Sequence, residues 1–351
     1  MTAGIPSLQL ENISVGYQGQ AVLKHINLSL EEGEIACLLG PSGCGKSTLL
    51  RAIAGFEPVL EGHIKIYSRS VATPSTLLPP EHRKVGMVFQ DFALFPHLTV
   101  KENIGFGLRK LSRNERAERV DSLLDLIGLS EIQDAYPHQL SGGQQQRITL
   151  ARAMAPKPDI LLLDEPFSNM DSDMRTHLAS EVGDMLRREN MTAIMVTHDQ
   201  HEAFAMADHV GILGDGHLKQ YDRPYALYHQ PADRFVADFI GEGVFIPGQM
   251  LNDHEVQTEL GVVRGHVVNP DQFTQKVDLL LRPDDVIHDD NSPLKAKIIE
   301  RDFRGPVYLY TLLLDSGQHI LCLVQSHHDH KIGEALGIRL DAEHLAVFPQ
   351  V

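Results

Sequence analysis

The chain has 351 residues, which is longer than one hydrophobic core comfortably supports, so we expect two domains. A hydrophobic fraction of 42% and a charged fraction of 22% are those of an ordinary globular protein, whereas the net charge of −16 argues against a nucleic-acid partner, because nucleic-acid binders carry a basic stripe. The sequence shows neither an apolar run of about 18 residues nor a basic-then-apolar leader, and its three cysteines are scattered, so we expect a soluble protein of a reducing, cytoplasmic compartment.

The first predicted elements form an α/β region from Leu8 to about Phe239, where short β-rich runs alternate with helical patterns. The stretch Val100–Met154 inside it is mostly helical and contains a capping-box pattern from Ser112 to Glu115. We therefore predict a helical subdomain at about residues 97–155, inserted into a largely parallel sheet. The strands predicted for that sheet are Glu34–Leu39, Lys84–Phe89, Ile160–Leu163 and Ala193–Val196.

Beyond Phe239 the helical patterns give way to short β-rich runs separated by turns such as Asp315–Gly317. We predict a domain boundary between residues 239 and 240, with an α/β domain at 1–239 and a β-rich domain at 240–351 that forms a small barrel or sandwich. The predicted strands of the second domain are Val262–Val268, Val277–Leu281, Leu294–Glu300, Val307–Leu314 and Ile320–Val324.

The segment Gly40–Thr48 matches the whole phosphate-binding pattern G-x-x-x-x-G-K-[ST] between a predicted strand and a predicted helix. Glycines let backbone N–H groups close around phosphate oxygens, and the helix N-terminus adds a positive dipole end. Lys46 is placed to reach the β- and γ-phosphates, and Ser47 to bind Mg²⁺. The residues that we expect to bind the nucleotide here are Gly40, Ser42, Gly43, Cys44, Gly45, Lys46, Ser47 and Thr48.

Two adjacent carboxylates, Asp164 and Glu165, end the apolar run that begins at Ile160. Successive side chains at a strand end point to opposite faces, so the two carboxylates can have separate roles. We expect Asp164 to hold Mg²⁺ and Glu165 to act as general base toward the attacking water.

A third motif, Leu140–Gln144, opens a predicted helix with small residues, which permits close approach of an anion. By itself, the run from Ser141 could be only an N-cap and turn. With the sequence Leu-Ser-Gly-Gly-Gln, however, the chain resembles the ATP-binding subunits of ABC transporters. The resemblance implies an α/β P-loop ATPase core with an inserted helical subdomain. It also implies that Ser141, Gly142, Gly143 and Gln144 contact the γ-phosphate of ATP on a second copy, in a head-to-tail homodimer with two shared ATP sites.

The same resemblance assigns roles to four isolated positions. Tyr17 matches the aromatic residue that stacks on adenine, and Gln90 matches the glutamine that contacts Mg²⁺ and the attacking water. Asp171 matches the D-loop aspartate at the dimer interface, and His198 matches the histidine that contacts the γ-phosphate. The implied catalytic residues are thus Glu165, His198 and Gln90, and the implied Mg²⁺ ligands are Ser47, Gln90 and Asp164.

The β-rich domain resembles the C-terminal, OB-like regulatory barrels of binding-protein-dependent importers, and Arg282–Asp284 matches their R-P-[ED] element. The chain resembles most the ferric-ion uptake ATPases; sulfate, molybdate, polyamine and sugar importers share most of these features. The resemblance implies ATP and Mg²⁺ as cofactors, an inner-membrane permease as partner, a periplasmic binding protein as indirect partner, and a peripheral location on the cytoplasmic face of the inner membrane. The segment Phe92–Val100 is the expected docking site for a permease helix, and internal packing of the helical subdomain is the alternative.

Two rival classes remain: a non-transport ABC ATPase and a regulatory module without turnover, the latter disfavoured because Glu165 and His198 are both present. The run His327–His330 raises the possibility of a metal sensor, since imidazole and carboxylate suit iron or zinc. We interpret it as a solvated loop, because neighbouring residues in one loop rarely converge on one ion.

Overall fold

The computed structural model describes residues 5–268 and 275–350. The described chain divides into two compact units, Met1–Pro224 and Tyr225–Val351. This division groups the helical segment before Phe239 with the second unit, and the boundary at 239 and 240 that the sequence indicated stays a prediction. Within the described ranges, no helix has the length and apolar character that crossing a membrane requires.

The first unit contains two sheets and most of the helices. A five-stranded antiparallel sheet has the order β2-β1-β4-β5-β6, and a six-stranded sheet has the order β11-β10-β3-β9-β8-β7. The strands are β1 Leu8–Tyr17, β2 Gln20–Leu30, β3 Ile35–Leu39, β4 Val59–Ile66, β5 Arg69–Thr73, β6 Thr76–Leu77, β7 Val85–Val88, β8 Ile160–Asp164, β9 Ala193–Val196, β10 His209–Gly214 and β11 His217–Asp222. The α-helices are α1 Lys46–Ala54, α2 Val100–Ile104, α3 Arg113–Leu126, α4 Gly142–Met154, α5 Ser172–Arg188 and α6 Gln200–Met206, and short 3-10 helices lie at Pro80–His82, Gly105–Gly107, Ser130–Ile132 and Pro137–Gln139.

The six-stranded sheet forms because its central strands are apolar on both faces, as strands covered on both sides by other elements must be. Every residue of β3 and of β8 is buried. The neighbours β3 and β9 run parallel, with Cys37 opposite Met195, and β8 pairs parallel with β9 on its other side. The four predicted strands are confirmed, and their carboxyl ends meet at one edge of the sheet, where Gly40 and Glu165 follow β3 and β8.

The predicted helical insertion is confirmed as α2, α3 and α4 with their connecting 3-10 turns. Helix α3 begins with the predicted capping box, in which Ser112 accepts a hydrogen bond from the Glu115 amide and Glu115 accepts one from the Ser112 amide. Its buried residues are Val120, Leu123 and Leu124, with Ile127 also buried just beyond its end.

The second unit begins with two short helices and is otherwise β-structure, so the prediction of a C-terminal all-β fold is confirmed. Two five-stranded sheets have the orders β14-β13-β12-β16-β23 and β17-β21-β18-β19-β20, and β15 pairs with β22. Their inward faces share one core that includes Ile246, Tyr310 and Ile338. The elements are α7 Pro224–His229, α8 Arg234–Phe239, β12 Val244–Asn252, β13 Glu255–Thr258, β14 Gly261–Arg264, β15 His266–Val267, β16 Lys276–Leu281, β17 Val286–His288, β18 Lys295–Phe303, β19 Val307–Leu313, β20 His319–Gln325, β21 Ala335–Leu340, β22 His344–Leu345 and β23 Val347–Pro349.

Candidate functional site

The phosphate loop connects β3 to α1, as the sequence predicts. Gly43 and Gly45 have φ values of 81° and 104°, in the left-handed region that only glycine adopts without strain. At Gly40 the requirement is space, because a Cβ there would lie 2.5 Å from the Leu213 carbonyl oxygen. The backbone can therefore curl tightly ahead of the helix N-terminus only with glycine at these positions.

Lys46 is the first residue of α1 and is only 5% exposed. Its Nζ donates hydrogen bonds to the carbonyl oxygens of Gly40 at 2.7 Å and Pro41 at 3.1 Å, and lies 4.0 Å from the sulfur of Cys44. A buried ammonium group must be paired, and here the loop itself supplies the acceptors. The lysine thus folds back over the loop that is expected to surround the phosphates.

Two of the three residues expected to bind Mg²⁺ meet directly, because Ser47 Oγ donates to Asp164 Oδ1 at 2.7 Å. Asp164 is 6% exposed at the end of β8. One position further along α1, Thr48 shares a hydrogen bond of 3.1 Å with the Tyr17 hydroxyl. The Tyr17 side chain stays 45% exposed, so its ring remains open to a base while its hydroxyl is fixed to α1.

Glu165, the residue after β8, has a φ of 44°, which is strained for a side chain of this size. Its amide donates to the Val196 carbonyl at 3.0 Å, which ties this strained turn to the end of β9. The carboxylate Oε2 lies 3.4 Å from His198 Nδ1, so the predicted general base and the predicted phosphate-contacting histidine are neighbours. Strained backbone of this kind clusters at functional sites.

The turn that carries His198 is fixed by a buried pair that the sequence analysis missed. Thr197 Oγ1 donates to Glu202 Oε2 at 2.5 Å and accepts from the Asp199 amide at 3.1 Å. Glu202 is 2% exposed, and this burial raises the pKa of its carboxyl. No motif or hydrophobic periodicity marks this pair in the sequence, because Glu202 occupies an ordinary helical position that only the fold shows to be buried.

Gln90 lies shortly after β7, and Asp171 lies at the start of α5. Gln90 is exposed after β7, and its carbonyl accepts a hydrogen bond of 3.2 Å from Asn169. Asp171 is the N-cap residue of α5, and its carbonyl accepts from the Arg175 amide. The side chain of Asp171 makes no capping hydrogen bond within the described residues, which agrees with a role outside its own helix.

The Leu140–Gln144 motif opens α4 at a different place from the phosphate loop. Ser141 is the N-cap in a complete capping box with Gln144, and Ser141 and Gly142 are exposed. A Cβ built on Gly142 would have Phe92 as its nearest neighbour at 3.9 Å, and one built on Gly143 would have Met170 at 3.7 Å. The helix N-terminus therefore faces solvent with room for an incoming anion.

Comparisons with known proteins decide the family. The family described as "ABC transporter" matches residues 23–168, and the TOBE domain family matches residues 279–348. The spermidine/putrescine import ATP-binding protein PotA of Marinobacter nauticus is 38% identical over 325 residues, which are 90% of this chain and 86% of that protein. This chain belongs to the ABC transporter ATPases. Among solved structures, cbiO1 from Clostridium perfringens, part of the ABC transporter complex cbiONQ, has a TM-score of 0.60 and 26% identity, covering 65% of this chain and 93% of that one.

The protein is thus an ABC-type ATPase coupled to transport, and the comparisons support the importer type. They do not support the ferric-ion subgroup that the sequence analysis placed first, because PotA carries the name of a polyamine importer. The TOBE match agrees with the expected C-terminal barrel.

ABC ATPases use ATP with Mg²⁺, and the residues at the phosphate loop fit both. A serine hydroxyl and a carboxylate 2.7 Å apart are hard oxygen donors of the kind that Mg²⁺ selects. The glycine-only conformations at Gly43 and Gly45 leave backbone N–H groups available to phosphate oxygens.

A buried arginine at the C-terminal end of α1 was also missed. Arg83 is 2% exposed and donates to four carbonyl oxygens, which belong to Ala52, Ile53, Val71 and Leu78. Burial lowers the pKa of its guanidinium to about 10. Because two of the acceptors end α1, a positive charge sits where the helix dipole favours it. Sequence alone could not show this, since the acceptors in α1, Ala52 and Ile53, lie about 30 residues before Arg83 in the chain.

Asn103 holds together the segment expected to receive a permease helix. It is fully buried, its Oδ1 accepts from the Phe95 amide at 2.9 Å, and its Nδ2 donates to the carbonyls of Phe95, Leu98 and Thr99, each at 3.1 Å. The signal that could have found it is a polar residue within the apolar stripe of α2, between Val100 and Ile104.

Proposed function

We propose that this protein is the ATP-hydrolysing subunit of a binding-protein-dependent ABC importer for a polyamine. The observation that carries the proposal is the 38% identity to the spermidine/putrescine import ATP-binding protein, which extends over 90% of this chain and therefore through both units. In this proposal the protein is peripheral on the cytoplasmic face of the inner membrane, binds a permease there and responds indirectly to a periplasmic binding protein.

Hydrolysis in this site depends on positioning and on charge neutralisation, as in other phosphoryl transfers. Lys46 contributes a positive charge to the β- and γ-phosphates once nucleotide replaces its loop carbonyl contacts. Ser47 and Asp164 would hold Mg²⁺, which supplies charge neutralisation on the phosphate oxygens when bound. Tyr17, anchored through Thr48, would stack its exposed ring on the adenine.

Glu165 is the proposed general base, which accepts a proton from the attacking water. His198 lies 3.4 Å from its carboxylate and would contact the γ-phosphate, so the two side chains bracket the reacting atoms. Gln90, exposed at the end of β7, would complete the Mg²⁺ and water contacts.

A second copy of the chain would complete each ATP site. The exposed N-terminus of α4, with Ser141, Gly142, Gly143 and Gln144, is an anion-binding position that faces solvent. In a head-to-tail homodimer it would close on the γ-phosphate held by the partner's phosphate loop. Asp171, at the N-cap of α5, would lie at that interface.

The segment Phe92–Val100 would receive a helix of the permease. Its aromatic residues are only partly buried: Phe95 packs on Phe106 with ring centroids 4.3 Å apart and lies under Arg152. Asn103 fixes the backbone of this segment, so a half-exposed apolar surface is held in a defined shape.

The test is ATPase activity of the reconstituted complex of permease and ATPase, stimulated by binding proteins loaded with defined cargo. We expect stimulation by the spermidine- or putrescine-loaded protein and basal activity with the ferric-loaded one. Stimulation by ferric ion alone, or by sulfate or sugar, would overturn the polyamine assignment, and failure of every loaded binding protein to stimulate would count against an importer.

A further inference from the structure

Three histidines of the second unit converge although they come from two separate segments. His288 ends β17, and His328 and His330 lie in the segment that follows β20. One ring nitrogen from each lies within 4.8 Å of the others. The His288 ring centroid is 5.0 Å from that of His328 and 4.9 Å from that of His330.

The segment after β20 is held in place by the buried residue Tyr310. The Tyr310 hydroxyl donates to the His328 carbonyl at 3.0 Å and accepts from the His330 amide at 3.0 Å. Between the two histidines, Asp329 pairs with Arg301 at 2.5 Å, and the same guanidinium donates to the His330 carbonyl at 3.2 Å. His328 and His330 therefore both lie next to His288, whereas Asp329, between them in the chain, pairs with Arg301.

The cluster contains a polar atom that its protein surroundings leave unsatisfied. Nε2 of His330 is buried and has no hydrogen-bond partner among the described residues. Buried imidazole nitrogens normally have one, so an unmet nitrogen in a cluster of this kind points to an ion or another ligand. The other nitrogen of His330, Nδ1, lies 3.7 Å from Glu334 Oε2.

A carboxylate also orients His288, whose Nε2 lies 3.0 Å from Asp290 Oδ1. Metal-bound histidines characteristically use their second nitrogen in this way, because the carboxylate fixes the ring and raises its basicity as a ligand. The side chain of His288 is 11% exposed and that of His330 is 25% exposed, whereas His328 is exposed. Two of the three imidazoles are thus set by their surroundings and the third is able to move.

We propose that His288, His328 and His330 bind one divalent transition-metal ion, with Zn²⁺ as the metal that this donor set fits best. Imidazole nitrogens suit Zn²⁺, Cu²⁺ and Ni²⁺, and three histidines leave one coordination position for water or a nearby carboxylate. Tetrahedral zinc with ordinary Zn–N bonds needs nitrogens about 3.3 Å apart, so the three nitrogens have to approach one another by at most roughly 1.5 Å, and rotation of the exposed His328 ring contributes to that movement.

The proposal goes beyond the proposed transport function, because it concerns the second unit and needs neither ATP nor cargo. The matched control is His327, which precedes His328 in the same exposed segment but is absent from the cluster.

The experiment is titration of the full-length protein, made without a polyhistidine tag and stripped of metal, with Zn²⁺ against a chromophoric chelator in excess Mg²⁺. The excess Mg²⁺ serves to keep Zn²⁺ from binding at Ser47 and Asp164, the expected Mg²⁺ site. We expect one Zn²⁺ per chain at low-micromolar affinity or tighter, and a visible ligand-field spectrum with Co²⁺. His288→Ala, His328→Ala and His330→Ala are each expected to weaken Zn²⁺ binding about 100-fold, since even the loss of an outer-shell partner costs about 10–100-fold.

The variant His327→Ala is expected to bind Zn²⁺ as the unaltered protein does. Equal loss in His327→Ala and His328→Ala, or no stoichiometric binding below about 100 μM, would overturn the proposal. His328 is exposed, so its alanine variant keeps the fold; a Zn²⁺-induced rise in melting temperature that persists in His328→Ala would likewise contradict the site.

Discussion

Two helix N-termini of the first unit are expected to bind anions, and they differ in how their side chains are held by the rest of the fold. At α1, Lys46 is 5% exposed and bonded to the loop carbonyls, and Ser47 is bonded to Asp164 on a neighbouring strand. At α4, Ser141 is exposed, and its side chain bonds only to the Gln144 amide within its own capping box, among the described residues. The first terminus is integrated into the sheet, whereas the second is self-contained.

This difference agrees with a site divided between two copies of the chain. In the proposed homodimer the phosphate loop would hold the nucleotide before the second copy closes on it, and glycine geometry and burial fix the conformation of this loop. When no anion is bound, the capping box of Ser141 and Gln144 stabilises the N-terminus of α4 by supplying hydrogen-bond acceptors to its amides.

At the C-terminal end of both α1 and α4, an arginine donates hydrogen bonds to the last carbonyls of the helix. Arg83 donates to the carbonyls of Ala52 and Ile53 at the end of α1. Arg119 donates to the carbonyl of Met154 at the end of α4 at 3.2 Å and also pairs with Glu189 at 2.8 Å. Both positive charges lie where the helix dipole favours them, but only Arg83 is fully enclosed.

The largest expected effect lies beside the phosphate loop. Glu165→Gln is expected to lower ATP turnover by about 10²–10⁴-fold, because it removes the proton acceptor while keeping the shape of the side chain. ATP binding, measured by equilibrium titration, is expected to persist and to drive accumulation of a dimer in size-exclusion chromatography. Glu181→Gln, whose carboxylate pairs with Arg147, is the control and is expected to retain turnover. Normal hydrolysis in Glu165→Gln would contradict the general-base role.

A smaller loss of turnover is expected at the second helix N-terminus. Ser141→Ala is expected to reduce ATPase activity roughly tenfold to a hundredfold, because a hydrogen bond to a charged group contributes about 1.5–3 kcal/mol. Binding of ATP to the monomer is expected to stay unchanged.

Ser112→Ala provides the matched control for that prediction, because Ser112 caps α3 with the same kind of capping box. Both substitutions remove a cap that contributes about 1 kcal/mol of stability. If the two variants lost activity equally, the role of Ser141 would be capping alone, and the comparison between the two anion sites would fail.

The two supporting arginines are expected to differ in their effect on stability. Arg83→Met removes buried hydrogen bonds to four carbonyls, of which, within the described chain, only those of Ala52 and Val71 also accept from a backbone amide, and is expected to lower the melting temperature by about 5–10 °C. Arg119→Met, which removes bonds to two carbonyls and to Glu189 at a partly open edge, is expected to lower it by about half as much. Calorimetry measures both values. Arg69→Met, which removes one long, exposed bond to His82, is the control. Equal shifts in melting temperature for Arg83→Met and Arg119→Met would show that the greater burial of Arg83 does not increase its contribution to stability.

The smallest effect is a change of labelling rate at Cys44, which is partly exposed within the phosphate loop. Bound MgATP is expected to slow its alkylation, because the nucleotide covers the loop. Cys37 and Cys322 serve as internal controls, since both are buried and burial raises the pKa of each thiol. Mass spectrometry of the labelled peptides reads all three, and equal labelling of Cys44 with and without MgATP would exclude coverage of the loop.

Much of the site could be predicted from sequence because its signals are local. The phosphate loop, the pair Asp164 and Glu165, and the Leu140–Gln144 motif each join a strand or helix end to a fixed spacing of residues. The assignment of the cargo was weaker because the ATPase subunit need not contact it. The ferric-ion subgroup rested on features that several importers share, and the comparisons favour the polyamine alternative.

The interpretation of His327–His330 as a solvated loop weighed only sequence neighbours. In the structure the third imidazole comes from His288 on another strand, and His327 takes no part in the cluster. Sequence spacing could not show this convergence, because the barrel fold brings the two segments together.

The sequence by itself predicted where the chemistry lies along this chain: the residues expected to bind phosphate, the carboxylates that follow a buried strand, and the start of a second helix expected to bind an anion. These features depend on glycine conformations, alternation and capping, which operate over a few residues. Only the tertiary structure decided the strained turn at Glu165, the burial of Arg83 behind α1, and the meeting of His288 with His328 and His330. All three features depend on burial and on contacts between segments far apart in the chain, and local sequence sets neither the burial nor these contacts.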